Sequence, residues 1–351
     1  MNLSLGIVGL PNVGKSTLFT ALTKKQVDAA NFPFTTISPN VGVVPVPDSR
    51  LAKLAELDHS AKVTPAVVEF VDIAGLVKGA HKGEGLGNQF LANIREVAVI
   101  VEVVRDFQNP DVIHVAGQVS PDDDRVTIDL ELAYADLATV QKRYAGVVKI
   151  ASTGDKEAKA TVAVLDKVKA ALDAGHGARE VELSADEEER IRDLQLLTRK
   201  PILYLLNTDE ARVGDPPPDD HTLRLSAVME ANLAGLPDAD VREYLREYGL
   251  AETGLERLIR KGYELLDLIS YFTEGPDETR AWTIRRGTKA PQAAGEIHTD
   301  FERGFIRAEV IQTDDLLTIG SWNAAREQGK IRTEGKEYVF QDGDVVFFHT
   351  N

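Results

Sequence analysis

The sequence predicts an α/β fold interrupted by an antiparallel helical hairpin and followed by a small α+β domain. Three observations carry that expectation. A glycine-rich loop, Gly9-Leu10-Pro11-Asn12-Val13-Gly14-Lys15-Ser16, separates a short apolar run from a helical one near the start. Apolar, β-branched runs recur at residues 66–72, 97–104 and 201–206 with little polar alternation, the pattern of parallel strands covered on both faces. Between the second and third lies a charged stretch whose apolar residues return at three- and four-residue steps.

Composition narrows the class. The chain has 351 residues, 43% of them hydrophobic and 27% charged, as in a globular protein of two or three domains. No apolar run approaches the roughly 18 residues of a membrane span, and the first residues lack the pattern of an export signal, so a cytoplasmic protein without membrane contact is expected. There is no cysteine, which rules out disulfides, thiol catalysis and cysteine-held metal. The formal net charge is −16. Bulk charge therefore opposes nucleic acid: DNA binding is not expected, and RNA contact would need a local basic patch.

The first element is a buried strand at residues 5–8. The loop after it matches the phosphate-binding pattern Gly-x-x-x-x-Gly-Lys-Ser, and a helix runs on through Thr17. Glycines let the N–H groups of Asn12, Val13, Gly14, Lys15, Ser16 and Thr17 turn toward phosphate oxygens, at the positive end of the helix. Lys15 can reach the β- and γ-phosphates, and the Ser16 hydroxyl can ligate Mg²⁺. The loop Asn31-Phe32-Pro33-Phe34-Thr35-Thr36 offers the metal a threonine, Thr36 first and Thr35 in reserve. The next strand, 66–72, ends in Asp72, a second metal contact through water, and Gly75 completes Asp-x-x-Gly. Leu76 follows, where many small GTPases carry a glutamine that orients the attacking water. Leucine cannot do this. His114, after the Asn109-Pro110 break and before Gly117, is the candidate replacement, with His81 of the glycine-rich loop 78–87 as its rival. His114 can equally be a packing residue.

Further on, Leu130, Ala133, Leu137, Val140, Tyr144 and Val147 form one helical seam, and Thr161, Leu165, Val168 and Leu172 a second, separated by Ser152-Thr153-Gly154-Asp155. Ser184-Ala185-Asp186-Glu187 is a capping box opening a third helix. The strand at 201–206 leads to Asn207-Thr208-Asp209-Glu210, where such folds read the base. Guanine-binding proteins usually place Asn-Lys-x-Asp there; here Thr208 replaces the lysine and the longer Glu210 the aspartate. Ser226 and Ala227, after a short strand at 223–225, occupy the position of a backbone base contact. In the tail, residues 280–284, 304–310 and 344–349 read as strands, and 290–294 and 316–328 as helical. Residues 273–351 hold ten Lys or Arg against fourteen Asp or Glu, with basic residues grouped at Arg285, Arg286 and Lys289.

Gly9-Leu-Pro-Asn-Val-Gly-Lys-Ser-Thr17, Asn31-Phe-Pro-Phe-Thr-Thr36, Asp72-Ile-Ala-Gly-Leu-Val-Lys-Gly79, Asn207-x-x-Glu210 and Pro291-Gln-Ala-Ala-Gly-Glu-Ile-His-Thr-Asp-Phe301 together resemble the YchF family of Obg-like ATPases over nearly the whole chain. The resemblance implies an Obg-type phosphate-loop NTPase domain over 1–268, interrupted by a helical hairpin at 126–200, and a TGS domain of β-grasp type over 269–351. It also implies that ATP is used as well as or better than GTP, and that the protein associates with ribosomes, local rRNA contacts included. The expected activity is Mg²⁺-dependent hydrolysis of ATP, with Lys15 and His114 catalytic. Ser16, Thr36 and Asp72 would hold the metal, and Asn207, Thr208, Glu210, Ser226 and Ala227 would surround the base. A GTPase is the alternative in the same class. A non-catalytic adaptor, in which nucleotide only toggles a surface of the translation machinery, is the alternative in another.

Overall fold

The computed structural model describes residues 4–24, 40–73, 86–115 and 117–351, with the side chains of 86–89 excluded. The chain divides into two compact units, Met1–Gly42 with Glu69–Leu255, and Val43–Val68 with Glu256–Asn351. No helix among the described residues is long and apolar enough to cross a membrane.

Strand β1 is Ser4–Val8, every residue of it buried. Helix α1 (Lys15–Lys24) follows the glycine-rich loop and buries Leu18, Ala21 and Leu22. Next come β2 (Val41–Pro45), α2 (Ser49–Leu57), β3 (Lys62–Thr64), β4 (Val67–Asp72), α3 (Leu86–Glu96) and β5 (Val99–Asp106). Strand β6 (Ile202–Thr208) and strand β7 (Thr222–Leu225) come after the hairpin, and the sheet order is β2-β4-β1-β5-β6-β7. Strands β4, β1, β5, β6 and β7 pair in parallel, with Leu5 opposite Phe70 on one side and Val99 on the other. Helices cover both faces of such a sheet, which is why β1, β5 and β6 are buried along almost their whole length.

The hairpin consists of α4 (Pro121–Ala151) and α5 (Lys156–Asp173). Ala133, Val140, Val164, Leu165, Val168 and Leu172 form its dry seam, with Leu137 and Tyr144 packed against it. Gly154, at φ +100°, makes the turn, and Asp155 caps α5 by accepting from the Ala158 N–H at 2.7 Å. Helix α4 starts at Pro121, before the expected 126, because Ser120, Pro121 and the acidic first turn make a start that carries no apolar seam. The capping box of Ser184 and Glu187 does open a helix, α6 (Ala185–Ile191). Buried Asp136 ties the returning chain to α4, accepting from the Leu197 and Thr198 N–H groups and the Thr198 hydroxyl. Helices α7 (Ala227–Leu233), α8 (Asp238–Glu247) and α9 (Gly254–Leu265) follow β7; none of the three was foreseen.

The second unit carries β8 (Leu268–Thr273), β9 (Glu278–Arg285), α10 (Ala290–Ile297), α11 (Thr299–Arg303), β10 (Phe305–Gln312), α12 (Thr313–Ile319), α13 (Trp322–Glu327), β11 (Arg332–Glu334) and β12 (Asp344–Thr350). Its sheet order is β11-β10-β12-β8-β9-β3, around a core that includes Ile269, Tyr271, Ile284, Phe340 and Val346. One expectation is corrected here. The region 316–328 is two helices, because Gly320 takes a left-handed φ of +90° and ends the first. The second compact unit also takes in Val43–Val68 and residues 256–267. Strand β3 pairs in parallel with β9, Lys62 opposite Glu278, and the Ser60 hydroxyl donates to the Gly275 carbonyl at 2.8 Å. A three-residue strand has too little periodicity to be read from sequence.

Candidate functional site

A pocket of about 510 Å³ opens at the carboxyl ends of the parallel strands. Its walls come from the loops after β1, β5, β6 and β7, where the order of a doubly wound sheet reverses direction. The structure brings together Asn12, Gly14, Lys15, Ser16, Thr17, Asn207, Thr208, Glu210, Ser226 and Ala227 of the residues expected from sequence. Phe107, Gln108, Asn109, Val112, Asp209 and Val228 also line it and were not foreseen. The one available signal for the first four was an aromatic directly after an apolar strand.

The loop's glycines answer to local crowding. Gly9 has φ +151°, and a Cβ there would lie 2.4 Å from the Val103 carbonyl oxygen. Gly14 has φ +98°, and a Cβ would lie 2.2 Å from Asn207 Nδ2. Either substitution would displace the loop. Lys15 is buried, and its Nζ donates to the Gly9 and Leu10 carbonyls at 3.0 and 2.7 Å. Burial lowers its pKa to about 8, and nearby Asp72 partly offsets that. Burial likewise raises the Asp72 pKa, with Lys15 opposing. The two groups thus oppose each other's shift while burial penalises the charge on each.

Asn207 holds the pocket together. Its Nδ2 donates to the Val13 carbonyl at 2.9 Å, and its Oδ1 accepts from the Ala227 N–H at 2.9 Å. The expectation had Asn207 and Ala227 turned toward the base; in this structure both engage each other, and Asn207 locks the phosphate loop to the turn after β7. Val13 is itself buried and meets the site through that carbonyl. Ser226 caps α7, accepting from the Met229 N–H at 3.3 Å. Glu210 stands at the pocket's far end, 3.5 Å from the Tyr244 hydroxyl.

Arg105 is among the largest fully buried side chains, and its guanidinium donates to the carbonyls of Phe107, Asn109 and Val112. It shapes the loop after β5 from beneath. Asn12 Nδ2 then donates to the Ile113 carbonyl at 3.1 Å, tying that loop to the phosphate loop. His114 is absent from the pocket lining. Its side chain is buried, with Nε2 2.9 Å from Asp124 Oδ2 on α4. Thr36, Thr35, Gly75, Leu76 and His81 lie outside the described residues.

Ser16 and Asp72 present hard oxygen donors, which suit Mg²⁺. No group of three or more His, Cys, Asp or Glu among the described residues could enclose a metal by itself. One carboxylate and one hydroxyl, completed by waters and a ligand's phosphates, would be enough to hold Mg²⁺.

Fold and loop together define a nucleotide-binding protein of the phosphate-loop GTPase class. A family model described as "50S ribosome-binding GTPase" matches residues 4–131, and one for the YchF GTPase C-terminal domain, described as "Protein of unknown function (DUF933)", matches residues 268–351. "Ribosome-binding ATPase YchF" of Escherichia coli O157:H7 is 52% identical over 100% of both chains, and that of Bacillus subtilis (strain 168) is 49% identical, again over 100% of both. The solved structure of the Schizosaccharomyces pombe YchF GTPase superposes with a TM-score of 0.88 at 40% identity, covering 99% of this chain and 98% of that one. The chain belongs to the YchF family.

Proposed function

We propose that the chain is a Mg²⁺-dependent ATPase that works as a nucleotide switch on the ribosome in the cytoplasm. The carrying observation is a pocket that joins a complete phosphate loop to Asn207-x-x-Glu210, in a chain half identical over its full length to proteins named ribosome-binding ATPases. The reaction is ATP plus water to ADP plus phosphate. The loop amides from Asn12 to Thr17 and the Lys15 ammonium hold the phosphates and balance charge on the transferring group. Ser16, Thr36 and Asp72 would hold Mg²⁺, the last through water. When bound, Mg²⁺ neutralises charge on the β- and γ-phosphate oxygens. His114 aligns the attacking water or accepts its proton once it reaches the phosphate side, taking the role Leu76 cannot fill.

The base end favours adenine. An aspartate in the guanine-reading position accepts from two guanine donors, whereas adenine offers one amino group beside an acceptor. Glu210 is one methylene longer and lies near Tyr244, so it is not set to reject adenine. GTP is the second reading, since a relative's structure and the N-terminal family model are described as GTPases. Calorimetry with ATP and GTP side by side decides. ATP is expected to bind at least as tightly; GTP binding a hundredfold tighter overturns the reading.

A further inference from the structure

We propose that Asp124 is a positioning residue: from the first turn of α4 it holds His114 away from the phosphate side, and hydrolysis requires that hold to be released. The inference rests on His114 being the group that aligns the water.

The chain on the two sides of His114 is held differently. Upstream, the carbonyls of Phe107, Asn109 and Val112 are fixed by Arg105, and that of Ile113 by Asn12 of the phosphate loop. Val112 already lines the pocket. His114, two residues on, turns to the hairpin instead. The side chains of His114 and Asp124 are 4% and 5% exposed, and 2.9 Å separates Nε2 from Oδ2. A bond in such surroundings is strong, because water does not compete for either partner. Downstream, the tie is local: the Gly117 N–H donates to the His114 carbonyl at 3.0 Å, in a turn where Gly117 has φ +80° and open space around it. Release of the Asp124 bond is therefore one requirement for the imidazole to turn about a fixed Ile113 toward the pocket wall.

What would make it let go is the hairpin. The root of α4 meets the sheet through polar groups. The Arg125 guanidinium lies 3.7 Å from the centre of the Tyr204 ring, and the Tyr204 hydroxyl donates to Asp129 at 3.0 Å. Beneath them Glu102 of β5 is fully buried, and its carboxyl oxygens have no hydrogen-bond partner among the described residues. Burial pushes its pKa up, with nearby Asp129 adding to the shift. Polar contacts of this kind have strict geometry and either fit or fail, unlike a greasy seam that slides. Helix α4 is 31 residues long, a lever of about 45 Å. A partner gripping its outer part would act on Asp124 at the root.

The test is partner-free ATP turnover in Asp124→Ala, with ATP affinity measured separately. Loss of one charge-assisted hydrogen bond should raise turnover roughly tenfold at unchanged affinity. The gain should vanish in Asp124→Ala/His114→Ala, which a merely structural role for Asp124 would not produce. Asp124→Asn keeps the shape and weakens the bond, so a smaller rise is expected, and it decides the matter if the alanine variant fails to fold. Unchanged or lower turnover in a folded variant overturns the proposal, as does a gain that survives removal of His114. Full partner-stimulated activity in His114→Ala alone would instead defeat the underlying reading of His114, whatever Asp124 does.

Discussion

Lys15 shows how far a single side chain can be argued. Its pKa of about 8 arises from burial, and anionic phosphates would offset that penalty. Near pH 8.5 most Lys15 is then neutral before nucleotide arrives and charged afterwards. Binding ATP at pH 8.5 is expected to take up protons, seen as a dependence of the calorimetric heat on the buffer's ionisation enthalpy. At pH 7, where Lys15 is already charged, this contribution shrinks. Lys15→Ala should weaken ATP affinity or turnover by at least ~10-fold. Parent-like behaviour of that variant would remove the central assignment.

At the scale of elements, the hairpin presents apolar side chains to solvent. Val148 and Ile150 near its tip are large, apolar and 37% and 54% exposed. Replacing residues 145–160 by a short flexible link leaves every pocket residue and the seam below Tyr144 in place. ATP binding should persist and co-sedimentation with ribosomes should fall; unchanged co-sedimentation would count against a docking role. The hairpin was legible in sequence because its seam repeats over many turns, and the phosphate loop because strand, glycines, lysine and helix stand in one order. The wall after β5 was not legible. Nothing local in Phe107-Gln108-Asn109 announces a pocket; its shape comes from Arg105 reaching three carbonyls across the loop. Asn207 was found as a pocket residue, but its grip on Val13 joins positions 194 apart in the chain, which no spacing rule reveals. Helix α9 was missed although its apolar positions do repeat.

At the scale of the molecule, the second unit carries a titration of its own. Glu274, between β8 and β9, has its pKa raised from 4.5 to about 7, by burial first and by Asp58 second. Folding thus favours its protonated form. Stability from this group is fully present below pH 4.5 and falls as the pH rises toward 7. Glu274→Gln should flatten that part of the melting temperature against pH profile; an unchanged slope would show the group to be silent. The pairing of β3 with β9 has a different consequence. Residues 62–64 and 278–280 meet across more than two hundred residues of intervening chain. During synthesis at roughly 5–20 residues per second, β3 emerges well before its partner exists. For that interval the nascent chain carries an unpaired strand, and the order of translation makes the second unit the last to close. Slowing or stalling translation between these segments would lengthen the window for misassembly.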